Sequence, residues 1–340
     1  MKTIVLGISA LLMSTGICTA QIITKVEGKC GLVDETSKVV LECKYDKVEP
    51  YKPGGHTKMS YVYTLNGNFG VILIDDYINT GLIYDSIYMH DGILTLMSQG
   101  KLGYLAEDEE NVSHIIEPEY KYLFAMASSM NRYGDYVNEK TDKIGVKKDS
   151  LWGVLNYGNG TVHIPIKYKN EVEKDAWNPL YRTVDRTSEI EICINPNTGA
   201  EFESTWLADI RVDMTKGLVI STDKFHYGEN GSRQIKIWNY DTGQLLWSYT
   251  SHAAIVEASI LDGNVVYVSE EYDATFLLNK QEDKMVYSFY NYTNNGLLFT
   301  NTSPLGSRIF ITNLDANSGY EIYLSRTYNG KRKLIGKIFH

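Results

Sequence analysis

From Gln21 onward the chain alternates apolar and polar residues in short runs, such as SYVYTLNG (60–67), GLVISTD (217–223), RQIKIWNY (233–240) and SRIFITNL (307–314). Successive side chains of a strand point to opposite sheet faces, so a period of two predicts strands with one inward face. Turn chemistry bounds the runs. Asn-Gly stands at 66–67, 159–160, 230–231, 295–296 and 329–330, and Asp-Gly at 91–92 and 262–263. These residues tolerate the positive φ of tight turns, which marks antiparallel hairpins. Only Tyr120 to Met130 and Ala253 to Ile260 carry a helix-like pattern, and neither has convincing caps. The expected fold class is all-β: an antiparallel β-repeat protein, a β-propeller or propeller-like array of about seven or eight small sheets.

Four segments of the first half align with one another. They are GKCGLVDETSKVVLECKYDKV (28–48), GNFGVILIDDYINTGLIYDSI (67–87), GKLGYLAEDEENVSHIIEPEYKYL (100–123) and SLWGVLNYGNGTVHIPIKYKNEV (150–172). Each places a bulky or apolar residue before a glycine, at Gly31, Gly70, Gly103 and Gly153, and ends on Tyr45, Tyr84, Tyr120 and Tyr168. The glycine-to-tyrosine separations are 14, 14, 17 and 15 residues. The unit predicted is a hairpin whose glycine marks a bulge or the close approach of another backbone. One such hairpin cannot bury its apolar face alone, so neighbours must stack.

These segments resemble the WG-repeat family, whose pattern joins a Trp-Gly pair to a later Ile-Pro and Tyr-Asp. Trp152-Gly153 with Ile164-Pro165 and Tyr168 is the nearest match, and Gly28-Lys29 with Gly31, Asp34, Tyr45 and Asp46 follows it. Cys30, Phe69 and Leu102 replace the tryptophan elsewhere, and the proline recurs only at 118. The resemblance covers residues 25–172. It implies exported or surface-associated β-repeat modules without a common catalytic chemistry.

After residue 190 the units read strand, strand, turn, strand. The run KIWNYDTGQLLWSY resembles blades of WD40 and quinoprotein-like propellers, on one good copy, Asn239 to Trp247, and a weaker one, Asn195 to Trp206. Four units here and four before approach the roughly 40–45 residues of a propeller blade. Residues 21–175 are expected to form the WG-repeat-like units and 176–340 the propeller-like units. The change near Asp175 to Tyr181 is a domain boundary or a seam within one ring, and closure would remove sheet edges.

Residues 1–20 read as a secretory signal: Lys2, an apolar run from Ile4 to Met13, and Cys18-Thr19-Ala20 before a cleavage after Ala20. A lipoprotein signal would use Cys18, but Ile17 stands where it wants a small residue. No later run is apolar enough to span a membrane. The mature chain is expected in the periplasm or outside the cell. The full chain's formal charge of −9, which becomes −10 without Lys2, and the lack of a basic, aromatic-interleaved run argue against nucleic acid. Cys30, Cys43 and Cys193 form neither a disulfide framework nor a zinc pattern. A hairpin turning about Thr36-Ser37 would set Cys30 opposite Cys43, where either a disulfide or two packed thiols is open.

Motifs of enzymes and cofactor sites do not occur: no G-x-S-x-G, no phosphate loop, no H-E-x-x-H. No catalytic, cofactor or metal residue is assigned. Carboxylates from distant strands can still meet as an acid–base pair, with Asp75, Asp76, Asp209, Asp213, Glu270 and Glu271 as candidates. Glu107-Asp108-Glu109-Glu110 reads as solvated loop charge. The 26 tyrosines read chiefly as tiling for sheet faces. Trp177, Trp206, Trp238 and Trp247 fall near turns, and are either blade packing or a stacking surface. The functional expectation is a non-catalytic scaffold for a protein or carbohydrate partner; the alternative is a propeller glycoside hydrolase using two carboxylates.

Overall fold

A computed structural model describes residues 22–339, apart from 35, 53–57, 75, 77, 127–128, 131–135, 138–141, 207, 224–232, 273–283, 315–318 and 326–329. The leader-like segment with Cys18, the Asn-Gly pair at 230–231, Asn329 and Asp75 lie outside the described residues. Every regular element among the described residues is a strand. No helix among them is long and apolar enough to cross a membrane.

Eight small antiparallel sheets follow one another along the chain. Sheets 1 and 8 have three strands, over 22–45 and 308–338. The others have four: 47–79, 86–120, 122–168, 172–205, 209–251, 254–304. Ser129–Met130 and Tyr136–Val137 add a two-stranded ribbon. Each main sheet is an antiparallel meander, as in a propeller blade, and the chain is a propeller-like array of them. The residues fall into two compact units. One takes the described residues to Tyr122 with Tyr157–Gly160, and the other takes Leu123–Asn156 and Thr161 onward.

Within each unit the core lies between successive sheets. In the first unit, Leu32 and Leu41 of sheet 1 pack with Val48, Tyr61 and Ile72 of sheet 2. Val62 and Val71 of sheet 2 pack in turn with Ile87, Leu94 and Leu105 of sheet 3. In the second unit, Ile235 and Trp247 of sheet 6 pack with Ile255 and Val266 of sheet 7. A central strand such as Leu218–Thr222 is buried along its whole length because a sheet covers each face.

The four aligned segments fold alike. The residue before the glycine pairs with the tyrosine in every copy: Cys30 with Tyr45, Phe69 with Tyr84, Leu102 with Tyr120, Trp152 with Tyr168. Two residues later Leu32 pairs with Leu41, Tyr104 with Ile116 and Val154 with Ile164, and Val71 accepts the Thr80 amide. Each glycine therefore faces three partner residues instead of one, a β-bulge larger than the usual single-residue insertion. A Cβ on Gly31 would stand 2.6 Å from the Leu41 carbonyl oxygen, and one on Gly153 2.8 Å from that of Ile164. At Gly70 and Gly103 it would strike the carbonyls of Gly81 and Ile116. Pro118 and Pro165 sit in the bulged segment, where no ladder amide is needed. The glycine and the proline thus belong to one device.

The aspartate after the tyrosine ties one sheet to the next. Asp46 accepts the Asn66 amide at 2.8 Å, and Asp85 that of Gln99 at 2.6 Å. These amides belong to tight turns with positive φ, Asn66-Gly67 at 53° and 80° and Gln99-Gly100 at 53° and 71°. The later sheets use an asparagine for a similar purpose. Asn195 and Asn239 each accept an amide two residues on, at 2.9 and 3.0 Å. Buried Asn195 also donates to the Tyr240 carbonyl at 3.0 Å, which links the turns of sheets 5 and 6.

Several expectations need correction. Tyr120 to Met130 is not helical: one strand ends at Tyr120, and Tyr122–Met126 begins the next sheet. Ala254–Ile260 is also a strand, with a bulge between Ile255 and Glu257. The extra residue spaces the buried Ile255 and Ala258 three apart and so imitates a helical period. Cys30 and Cys43 do not oppose each other, because the bulge moves Tyr45 opposite Cys30. The Cys43 thiol lies 3.1 Å from Thr24 Oγ1, the Cys30 thiol approaches the Asp46 carbonyl, and both cysteines are free. Apart from these corrections, residues 175–180 lie between two strands of sheet 5.

Many tyrosines are buried outright, not merely half-covered, and burial has a consequence at high pH. Burial pushes the phenols of Tyr63 and Tyr84 up from 10.0 to about 12. A raised folded-state value means stability is intact below pH 10 and drains away as the pH climbs toward 12. The slope approaches about 1.4 kcal/mol per pH unit for each such tyrosine. Absorbance at 295 nm should show these phenols ionising only together with loss of the far-ultraviolet β signal. Full phenolate formation in a still-folded protein would contradict the packing described.

Candidate functional site: an exposed tryptophan on a pinned loop

The four candidate tryptophans separate sharply. Trp247 is 4% exposed, lies parallel to Tyr249 at 5.8 Å and donates its indole N–H to Asn295 at 2.8 Å. It is core, not a stacking surface, because its strand faces the next sheet. Trp238 is half-buried, edge-on to Phe202 at 6.4 Å. Trp206 is half-buried beneath the Arg186 guanidinium, 5.6 Å from its ring. Trp177 alone of the four is open to solvent, at 84%. Trp152 of the repeat motif is half-buried against Phe124.

Trp177 sits in the loop 175–180, between the strands Val172–Lys174 and Tyr181–Asp185. Asp175 organises the loop by accepting the amides of Trp177 and Asn178 at 2.8 and 2.7 Å, the Asx chemistry of a tight turn. Asn178 fastens it to sheet 6, donating to the Ile210 carbonyl at 3.0 Å and accepting the Val212 amide at 3.2 Å. The Tyr240 hydroxyl donates to the Pro179 carbonyl at 3.3 Å, and Leu180 is buried beside it. The loop backbone is thereby held while the indole projects outward.

Next to the loop lies a charged row across sheet 5. The Arg182 guanidinium stands 3.8 Å from Glu173 and 3.7 Å from the buried Glu191. Burial raises the Glu191 carboxyl above the ordinary range, Arg182 counters it, and Asp175 and Glu173 push it further up. Burial and then Glu173 raise Glu171. Burial raises the Cys193 thiol, which faces Arg182 across the pair of strands. Glu171, Glu173, Asp175 and Glu191 are thus electrostatically coupled around one arginine.

Four of the carboxylates named as acid–base candidates, Asp76, Asp209, Asp213 and Glu270, have other partners. Asp76 pairs with Lys58, and Asp209 with Arg211 at 2.9 Å. Asp213 caps a turn through Thr215 and Lys216. Glu270 is buried and accepts the Tyr249 hydroxyl at 3.0 Å, whereas Glu271 points to the opposite face and is half-exposed. Glu107 is not solvated loop charge: it is 1% exposed and accepts the Lys58 amide at 3.3 Å. It ends the strand Lys101–Glu107 and its side chain falls on the inward face, while Asp108 begins the turn.

Sequence reasoning singled out Trp177 but missed its anchors, Asp175 and Asn178, and the Arg182–Glu191 contact. Asp-x-x-Asn-Pro at 175–179 is visible turn chemistry. The pairing of residues 182 and 191 depends on strand register, which no local motif announces.

No protein-family model matches the chain, and no curated protein matches it. Among solved structures it is similar to Hsv2 of Kluyveromyces lactis, at 10% identity over 86% of this chain and 97% of that one, with a TM-score of 0.29. BamB of Moraxella catarrhalis matches at 10% identity over 96% and 99% of the two chains, with a TM-score of 0.27. The dihydro-heme d1 dehydrogenase NirN, in complex with DHE, matches at 10% identity over 94% of this chain and 72% of that one, with a TM-score of 0.29. Similarity at this level transfers neither ligand nor reaction.

Proposed function

We propose that the chain is an exported, non-catalytic β-repeat protein that binds a protein or carbohydrate partner through the loop carrying Trp177. The observation that carries this reading is an indole 84% exposed on a loop whose backbone is tied down at Asp175 and Asn178. An open indole is the most apolar contact area one side chain offers, and a fixed backbone spares the ordering cost of binding. Export is proposed from the leader-like residues 1–20. Residues 21–175 are proposed as WG-repeat-like units, on the recurrent glycine, proline and tyrosine pattern. Residues 176–340 are proposed as propeller-like units, continuous with the first or separate from them.

The test uses protein recovered from outside the cytoplasm, expected by mass to begin at Gln21. Trp177→Ala should abolish capture on a glycan array or by an exporting cell's surface fraction. Its denaturant midpoint should stay within about 0.5 kcal/mol of the parent, as for other surface changes. Unchanged capture by the variant would defeat the reading.

A further inference from the structure

Sheets 2 to 7 each have four strands, and in every one the third strand in chain order is paired on both sides. Sheet 8 has three, Arg308–Asn313, Tyr320–Ser325 and Lys333–Ile338. Among the described residues its third strand pairs only with its second. One edge of Lys333–Ile338 therefore presents alternate backbone amides and carbonyls that no neighbouring strand takes up. The side chains along that edge are basic. Residues 322–340 hold five lysines and arginines and no aspartate or glutamate, in a chain whose formal charge is −9. Lys331 and Lys333 are exposed and have no carboxylate partner among the described residues. Arg332 lies over the Phe310 ring at 3.9 Å, and Lys337 is matched by Glu321 at 2.7 Å. The register places Phe310, Tyr323 and the exposed Leu334 on one face of sheet 8. That face is opposite to the one through which Ile322 and Leu324 pack with sheet 7.

An open strand edge recognises an extended chain, because main-chain hydrogen bonds continue the ladder. Charge then selects among extended chains. A second copy of Lys333–Ile338, laid antiparallel and centred on Ile335, would bring Lys333 opposite Lys337, and like charges in that position disfavour pairing. A strand bearing carboxylates would instead meet the unmatched Lys331, Arg332 and Lys333, with an apolar residue covering Leu334. Nucleic acid or a lipid surface would use the charge and leave the ladder idle. We infer that the edge of Lys333–Ile338 takes an extended acidic segment of a partner protein as the fourth strand of sheet 8. This surface is separate from Trp177, and the inference stands whether or not that residue binds.

The experiment follows fluorescence anisotropy of a labelled peptide alternating glutamate and valine, titrated with the full mature chain. Its comparisons are the same peptide N-methylated at every amide, a glutamine–valine peptide, single-stranded DNA and phosphatidylserine vesicles. The glutamate–valine peptide should bind, and weaken as salt rises. N-methylation should abolish binding because the ladder cannot form, and glutamine in place of glutamate should weaken it about tenfold. The double variant Lys331→Glu/Lys333→Glu should lose about tenfold or more, with a thermal midpoint equal to the parent's because both side chains are exposed. Lys101→Glu/Lys121→Glu changes the net charge equally at exposed positions of the first unit, and should bind the peptide as the parent does. Full binding of the N-methylated peptide, or equal losses in the two double variants, would overturn the inference, because the attraction would then be general. Peptide binding that Lys331→Glu/Lys333→Glu leaves intact, or no binding of the glutamate–valine peptide, would overturn it as well. Tighter binding of DNA or vesicles would assign the basic strand to phosphate groups. A concentration-dependent dimer in sedimentation, altered by Lys331→Glu/Lys333→Glu, would assign the edge to a second copy. Either result would overturn the acidic-strand assignment.

Discussion

Gly153→Val is expected to lower stability by roughly 2–4 kcal/mol, read as a fall in the denaturant midpoint. The substituted side chain would begin inside the contact radius of the bulged strand. Its Cβ alone would stand 2.8 Å from the Ile164 carbonyl oxygen and as close to the Ile166 Cα, both parts of a bulged strand. Relief would require the three-residue bulge at Pro165-Ile166-Lys167 to lift. That would break the pairing of Trp152 with Tyr168 and of Val154 with Ile164. Valine suits strands in general, so a strand-propensity argument alone predicts a gain. The sign of the change therefore distinguishes the bulge account from a generic strand. Leu151→Val, at an exposed position of the same strand, is the control and should stay within about 0.5 kcal/mol. A midpoint for Gly153→Val equal to the parent's would mean that the bulge gives way cheaply.

Trp247→Ala is expected to cost about 3–5 kcal/mol, the range for removing a large aromatic from a packed core. Trp247 is among the buried residues joining sheets 6 and 7 with Ile235, Ile237, Ile255 and Val266. Its loss would also strip Tyr249 of a stacking partner and leave the Asn295 side-chain oxygen without its donor. Trp177→Ala should leave stability essentially unchanged, so two tryptophans that look alike in the sequence should differ several-fold in what they contribute. Urea titration of both variants measures the contrast. Equal effects would mean that sheets 6 and 7 do not pack around Trp247 as described.

How much was legible can be judged residue by residue. Period-two runs and Asn-Gly or Asp-Gly pairs located the strands and hairpins because both signals are local: one is set by strand geometry, the other by the φ values a turn needs. The recurrence of glycine and tyrosine at 31/45, 70/84, 103/120 and 153/168 identified a repeated unit, and the structure pairs the flanking residue with the tyrosine in all four. The bulge was foreshadowed by the glycine, but its length was not, which is why the Cys30–Cys43 register failed. A bulge also disguised Ala254–Ile260 as a helix by stretching its spacing from two to three.

The sequence by itself determined the fold class, an approximate count of seven or eight small sheets and the recurrent glycine positions, because each follows from local strand, turn and repeat patterns. Only the tertiary structure decided which tryptophan is core and which is open, that Glu107, Glu191 and Glu270 are buried, and that Asp175 and Asn178 pin one loop to the neighbouring sheet. Those properties depend on which sheet lies against which face. Residues 178 and 210, or 247 and 295, meet across dozens of intervening positions through sheet-on-sheet packing, and no local pattern encodes that meeting.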